Sequence, residues 1–265
     1  MSIKPGKVEK YINEKLEDKG ALLFMVIDPL DYKNKDDAVK AGIGCASGGA
    51  DVILVGGSVG VQGELLDYVA KEIKSGISDI PLVLFPGNIA TISSHADAIY
   101  FMSMLNARNP YWIVQAQMLS APTIRQLGVE PLPVGYIVVK PGGTVGWVGD
   151  ANLVPREKPR IAAGLALAGE YLGNRLIVTD VGSNPKLQGF GPVPTEMVRE
   201  VKKAISVPYI VAGGISATKD VHEILGSGAD IVQIGTAIEN KDNVKNIVSS
   251  LSEAVKEEGA KKLRK

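Results

Sequence analysis

Residues 211–216 read VAGGIS and residues 234–239 read IGTAIE. Each closes a short apolar run, VPYIVA (207–212) and DIVQIG (230–235), and each precedes a stretch with helical spacing. Glycine where an apolar strand ends lets backbone N–H groups approach an anion with no Cβ in the way. Tight strand-to-helix turns also favour glycine, so each motif has an ordinary reading beside the functional one. Two such motifs at the ends of successive strands point to a phosphate site made by Gly213, Gly214, Gly235 and Thr236. The dipole of a helix behind each loop is expected to add to it.

Six further runs of strand length precede these two: ALLFMVI (21–27), DVILV (51–55), IPLVLF (80–85), DAIYFM (97–102), PVGYIVV (133–139) and RLIVTD (175–180). They are continuous in apolar character and not alternating, which predicts strands buried on both faces. Amphipathic stretches separate most of them, at 36–46, 63–75, 110–128, 160–173, 194–205 and 218–228, and a last one covers 243–259. Eight buried strands alternating with helices in 265 residues is the arithmetic of a (β/α)8 TIM barrel, α/β in class, whose loops after the last two strands often hold phosphate. A doubly wound open sheet is the rival, but it usually has fewer strands at this length. No linker or shift in composition divides the chain, so residues 1–265 read as a single barrel domain. One unit is short. Between the third and fourth strands lies only PGNIATISSHA (86–96), too little for a covering helix. The third helix is therefore expected to be reduced or missing, leaving either a loop or a slot in the helical coat.

Composition excludes several classes. Lys and Arg total 29, equal to Asp and Glu, so no basic excess invites nucleic acid. One cysteine, Cys45, rules out intramolecular disulfides and multi-cysteine zinc sites. The only histidines are His95 and His222, which argues against a Ser-His-Asp triad or a multi-histidine metal site. The N-terminal MSIKPGKVEKYINEKLEDKG is charged, and no apolar run approaches the ~18 residues of a membrane span. A soluble, cytoplasmic protein is the expectation.

Chemistry-bearing residues fall at strand ends. The sixth strand runs into VTDVGSNP (178–185), placing Asp180 on the face where such barrels carry catalysis, with Gly182 and Ser183 directly after it. A carboxylate beside an anion site is unfavourable unless it works, for instance by taking a proton from a substrate hydroxyl. A turn-capping aspartate is the ordinary alternative. The first strand ends VIDPLDY, presenting Asp28 with Asp31 close behind, and the second ends ILVGGSVG, presenting Ser58. A carboxylate and a hydroxyl completed by water and phosphate oxygens is a common way to hold magnesium, although capping accounts for such residues equally well. After the fifth strand, about 20 residues of loop carry Lys140, Trp147, Arg156 and Lys158. A loop of that length reads as a lid or binding element, whose cations suit a diphosphate. Trp112 reads as core, and Cys45 and both histidines as packing or surface residues.

Several segments together resemble the geranylgeranylglyceryl phosphate synthase family: IDP (27–29), GGSVG (56–60), LFPGN (84–88), FMSMLNARNPYWIVQAQ (101–117), GYIVVKPGGTVGWVGDANLVPREKP (135–159), VGS (181–183), AGGI (212–215) and GTAIE (235–239). They run in order along most of the chain, and FPGN and NPYW are similar to the larger-loop branch. The resemblance implies a Mg²⁺-dependent prenyltransferase. It would join a prenyl diphosphate, usually geranylgeranyl, to the 3-hydroxyl of sn-glycerol 1-phosphate and release diphosphate, the first ether bond of archaeal-type lipids. By matching position it implies that Asp28 and Ser58 bind Mg²⁺. Glycerol phosphate is implied to meet Val178, Thr179, Asp180, Val181, Gly182, Ser183, Asn184, Gly213, Gly214, Gly235 and Thr236, with Asp180 the catalytic base. Relatives of this kind form dimers and larger even-numbered assemblies, so a homo-oligomer is expected, with no nucleic-acid partner, no transmembrane segment and a product able to partition to the membrane. One motif departs from the family. The usual YLEAGSG reads VTDVGSN here, so Val178 stands for a tyrosine and Asp180 for a glutamate. The carboxylate is one methylene shorter, and an aromatic hydroxyl is lost from that strand.

Overall fold

Eight parallel strands close on themselves in chain order in a computed structural model that describes residues 4–264. The strands are β1 (Leu22–Ile27), β2 (Val52–Gly57), β3 (Leu82–Pro86), β4 (Ala98–Met104), β5 (Glu130–Val138), β6 (Leu176–Asp180), β7 (Tyr209–Ala212) and β8 (Ile231–Ile234). The helices are α1 (Lys7–Lys19), α2 (Lys35–Ser47), α3 (Gly63–Gly76), α4 (Ala116–Leu127), α5 (Gly143–Val148), α6 (Pro159–Tyr171), α7 (Thr195–Ala204), α8 (Thr218–Gly226) and α9 (Val244–Leu263). The sheet is the TIM barrel that the strand count predicts, and no helix lies between β3 and β4.

Two cores follow from the double-faced strands. One lies between sheet and helices, where Leu23, Met25 and Ile53 pack against side chains such as Ala41, Cys45 and Ile73. The other fills the barrel with the alternate residues: Phe24, Leu54, Val83, Tyr100, Val134, Tyr136 and Val178. Helix α1 plugs the barrel's lower end, its Val8 and Ile12 joining the interior cluster. Its sequence is strongly charged, and the apolar pattern at 21–27 gave no hint of this plug.

The lower rim is stapled by one device used three times. Asp51, Asp97 and Asp230 each stand just before a strand and bond back to the preceding one. Leu23, Leu82 and Tyr209 donate their N–H groups to these carboxylates at 2.8, 2.8 and 2.9 Å. The same three residues accept from the aspartate N–H groups. Lys19, Lys74 and Lys202 close the motif at 2.5, 2.6 and 2.6 Å. Strand register is thereby fixed at the end remote from the site, leaving the upper loops free for chemistry.

Candidate active site

The upper ends of the strands surround a cavity of about 960 Å³, a figure that includes space open to solvent. Its walls carry Asp28, Ser58, Asp180, Gly182, Ser183, Gly213, Gly214, Gly235 and Thr236. Strand β6 brings Asp180 to this space, and pairing of β6 with β5 and β7 sets it beside Val138 and Ala212.

Asp180 is 7% exposed and held at both oxygens. Tyr136 Oη donates to Oδ2 at 2.5 Å, and the Gly182 N–H donates to Oδ1 at 2.6 Å. Burial pushes its pKa above the usual carboxylate value, opposed by these two bonds. Burial and the neighbouring Asp180 raise Tyr136 far above an ordinary phenol, so it stays a donor. Phe85 packs against the Tyr136 ring at 6.0 Å between centroids, fixing the phenol laterally. Composition and spacing do not reveal Tyr136, because a tyrosine in GYIVV reads as core. The signal lies in the register. Tyr136 sits opposite Val178, the position where the family motif has its own tyrosine. A phenol thus reaches the site from the adjacent strand.

Gly213 shows why the glycine pair is needed. Its φ is +82°, a left-handed value, and a Cβ there would lie 2.6 Å from Asp180 Oδ1 and 2.8 Å from the Gly182 carbonyl. The loop therefore presses against the carboxylate, and only glycine allows it. Among the described residues, no turn or loop bond within the backbone uses the N–H of Gly213, Gly214 or Thr236. These donors are available to an anion. Of the two helix dipoles expected behind them, only one helix start lies close in the chain. Helix α8 starts at Thr218, four residues past Gly214, and Asp220 in its first turn accepts from the preceding Ser216 and Ala217 N–H groups at 2.8 and 3.1 Å. Helix α9 starts only at Val244, eight residues past Thr236. The cradle is one of loop amides.

Four residues of the 178–184 segment do not line the cavity. Val178 is packed inside the barrel, and Val181 in the outer core. Thr179 Oγ1 bonds Tyr209 Oη at 2.7 Å. Asn184 is exposed with φ +49° and starts the 3₁₀ turn Pro185–Gln188. Strand alternation turns Thr179 and Val181 away from Asp180, while Val178 lies on the same face one layer deeper in the barrel.

On the opposite wall, Asp28 Oδ1 accepts from the Leu30 N–H at 3.1 Å. A Cβ on Gly57 would come within 2.3 Å of Asp28 Oδ2, so the carboxylate lies against Gly57, one residue before Ser58. Asp31 and Glu239 line the same wall. Asp28 is pushed up to about 6 by burial and then by Asp31. Glu239 rises to about 7 by burial and then by Asp31 and Asp28. This wall has negative charge without a matching cation. Among the described residues, no cluster of three or more His, Cys, Asp or Glu is arranged to hold a metal alone. A cation suited to Asp28 and Ser58 takes most of its ligands from water and substrate oxygens, as Mg²⁺ does.

The long loop after β5 is not a free lid. Asn106 clasps it, donating to the carbonyls of Val138 and Asn152 at 2.8 and 2.9 Å. Helix α5 lies within it, and Val145 and Val148 form cavity wall. Arg156 is spent on backbone, donating to the carbonyls of Gly191 and Pro192 at 3.2 and 2.6 Å, and so holds the 183–194 loop. Lys140 and Lys158 are exposed and do not line the cavity. The structure thus does not bring these three cations to the cavity wall. His95 is exposed, while His222 pairs with Glu258 at 2.8 Å in the α8–α9 layer. Cys45 is a buried thiol in α2.

The missing helix leaves a second hollow, of about 510 Å³ by the same measure, between the 86–92 segment and α4. Ile89, Ile92, Phe101 and Ile124 make it apolar. Pro86, Met102, Met104 and Trp112 line both hollows, so the slot and the main cavity share a wall. Trp112 sits in a π-helical turn, Tyr111–Gln115, that leads into α4.

Comparison with known proteins agrees with this geometry. Residues 14–254 match the PcrB family. A geranylgeranylglyceryl phosphate synthase of Pyrococcus abyssi is 50% identical over 252 residues, covering 95% of this chain and 97% of that one. The Pyrococcus horikoshii synthase is 53% identical over 234 residues, covering 88% of this chain and 89% of its own. The solved synthase of Thermoplasma acidophilum, in complex with its substrate sn-glycerol-1-phosphate, superposes with a TM-score of 0.87 at 32% identity and covers 96% of this chain and all of its own. With an apolar slot adjoining a carboxylate-floored, amide-rimmed cavity, and relatives matched over nearly its whole length, the chain belongs to the PcrB family of geranylgeranylglyceryl phosphate synthases.

Proposed function

We propose that this chain transfers a prenyl group, geranylgeranyl by the name of its relatives, from its diphosphate to the 3-hydroxyl of sn-glycerol 1-phosphate. One observation carries the reading. Asp180, gripped by Tyr136 and Gly182, faces a cavity whose rim offers the Gly213–Gly214 and Gly235–Thr236 amides and whose side adjoins the apolar slot.

In this reading the amides, with Ser183, hold the glycerol phosphate and orient its hydroxyl toward Asp180. The prenyl tail lies in the slot, with its first carbon delivered past Met102 and Trp112. The bond between that carbon and the diphosphate oxygen breaks, and the electron pair leaves with diphosphate. A bond from the glycerol oxygen to the carbon forms, and the hydroxyl proton passes to the Asp180 carboxylate. The buried Tyr136 holds that carboxylate aimed and ionised. Mg²⁺ fits Asp28 and Ser58 and, when bound, neutralises charge on the departing diphosphate. Asp31 and Glu239 add negative potential that favours the cation.

Purified protein with geranylgeranyl diphosphate, sn-glycerol 1-phosphate and Mg²⁺ is expected to release diphosphate and form the prenylglyceryl phosphate. Asp180→Asn is expected to bind glycerol phosphate by calorimetry while losing about 10²- to 10⁴-fold in turnover. No product at any Mg²⁺ concentration overturns the assignment.

A cytoplasmic location belongs to the same reading, supported by the single free thiol of Cys45. No helix among the described residues is long and apolar enough to cross a membrane. Copies of the chain are inferred to associate through the outward face of α4 and the turn before it. Residues 109–124 carry no charge, and Val114, Met118 and Leu119 are 59, 61 and 51% exposed. Light scattering of Met118→Lys/Leu119→Glu is expected to give a smaller particle than the parent chain; an unchanged mass rules that face out.

A further inference from the structure

The upper rim of the barrel carries exposed apolar side chains on five separate loops. Leu30 follows β1, Val59 follows β2, Ile89 follows β3, Trp147 is on α5, and Leu187 is in the 3₁₀ turn after β6. They are 54, 60, 41, 87 and 87% exposed. The first three stand together. A Cβ on Gly60 would touch Leu30 Cδ1 at 3.0 Å, and one on Gly87 would fall 2.9 Å from Ser58, so the three loops abut. The other two flank the far side. A Cβ on Gly143, the first residue of α5, would lie 3.2 Å from the Ser183 nitrogen, four residues before Leu187. Both arcs border the main cavity, which Ser58 and Gly87 line from one side and Val145, Val148 and Ser183 from the other.

We propose that this rim docks the barrel, mouth down, on a lipid bilayer surface. The proposal rests on the prenyl transfer reading above, and one residue ties it to that chemistry. Ile89 stands on the rim and also lines the apolar slot. Membrane-facing surface is therefore continuous with the slot, and a polyprenyl tail moves from acyl chains to the slot without crossing water. The product, a phosphate on a long hydrocarbon, returns by the same path. Neighbouring charges are mixed. Lys33, Lys140 and Lys186 are exposed, and so are Asp31 and Asp150. Insertion of apolar side chains at the interface drives attachment here, and charge does not, as for other interfacial apolar faces. Trp147 suits that depth, being an amphipathic ring.

The test uses the full chain with vesicles of a zwitterionic phospholipid, with and without brominated acyl chains. The protein is expected to float with the vesicles, and brominated lipid is expected to quench its tryptophan emission at least twofold. Trp147→Ser/Leu187→Ser is expected to lose that quenching and at least tenfold in vesicle affinity. It should keep its turnover of a ten-carbon prenyl diphosphate in bulk solution, since neither side chain lines the cavity. Flotation absent at neutral charge, or equal in parent and variant, overturns the proposal. Binding confined to anionic vesicles at low salt overturns apolar insertion. Loss of Trp147 exposure on raising protein concentration without lipid assigns the rim to a second copy and overturns it too. Product formed without vesicle binding sinks this inference alone, whereas vesicle binding with no product from any prenyl diphosphate sinks the assigned reaction and leaves the docking face standing.

Discussion

The Tyr136 hydroxyl donates to Asp180 Oδ2 at 2.5 Å from the neighbouring strand, while the Gly182 N–H takes Oδ1. A carboxylate so buried is raised in pKa, and the phenol acts against that rise. Tyr136→Phe removes a bond that favours the charged form, so the pKa climbs further. Because the proposed reaction uses the ionised carboxylate, the acid limb of the kcat/KM profile is expected to move to higher pH. Turnover at neutral pH should fall about ten- to a hundredfold, the worth of a charge-assisted bond. A pH–rate profile decides it: a limb that stays in place would mean Tyr136 only packs.

Gly213 is tested by substitution with alanine. Its φ of +82° strains any side chain, and the Cβ would meet Asp180 Oδ1 at 2.6 Å. Loop and carboxylate must both move, at a cost of about 1–3 kcal/mol. KM for glycerol phosphate is expected to rise and kcat to drop together. A variant that changes neither places the phosphate elsewhere.

The proposed divalent site is probed from beneath Asp28. Gly57→Ala puts a methyl 2.3 Å from Asp28 Oδ2 and pushes the carboxylate off its seat without touching its charge. Titration is expected to show a Mg²⁺ requirement raised at least tenfold, with Asp28→Asn more severe still. An unaltered Mg²⁺ dependence in both would remove Asp28 from the site.

Stability is set at the other end of the barrel. Asp51→Ala breaks the Lys19 pair and the bond from the Leu23 N–H, both at a nearly buried carboxylate. A loss of about 2–4 kcal/mol in urea unfolding is expected, with the catalytic parameters of the folded enzyme unchanged. A loss under ~0.5 kcal/mol would show that the staples are ornamental to stability.

The local signals were strong enough to give the strands, most helices and the gap after β3. Eight double-faced apolar runs need cover on both faces, which closure inside a ring of helices supplies, and PGNIATISSHA is too short to cover its strands. Glycines at strand ends and the carboxylates Asp28 and Asp180 were legible for the same reason, because backbone approach and charge restrict residue type wherever they occur. What sequence could not give was who stands beside whom. Tyr136 reaches Asp180 only because β5 and β6 pair with Tyr136 opposite Val178, and Arg156 grips the carbonyls of Gly191 and Pro192 only because two loops fold onto each other. The charged α1 hides its plugging face until the barrel bottom exists to receive it. Periodicity is written along the chain, but register, and the burial that moves a pKa, come from contacts between residues far apart in it, and those are decided only when the sheet closes.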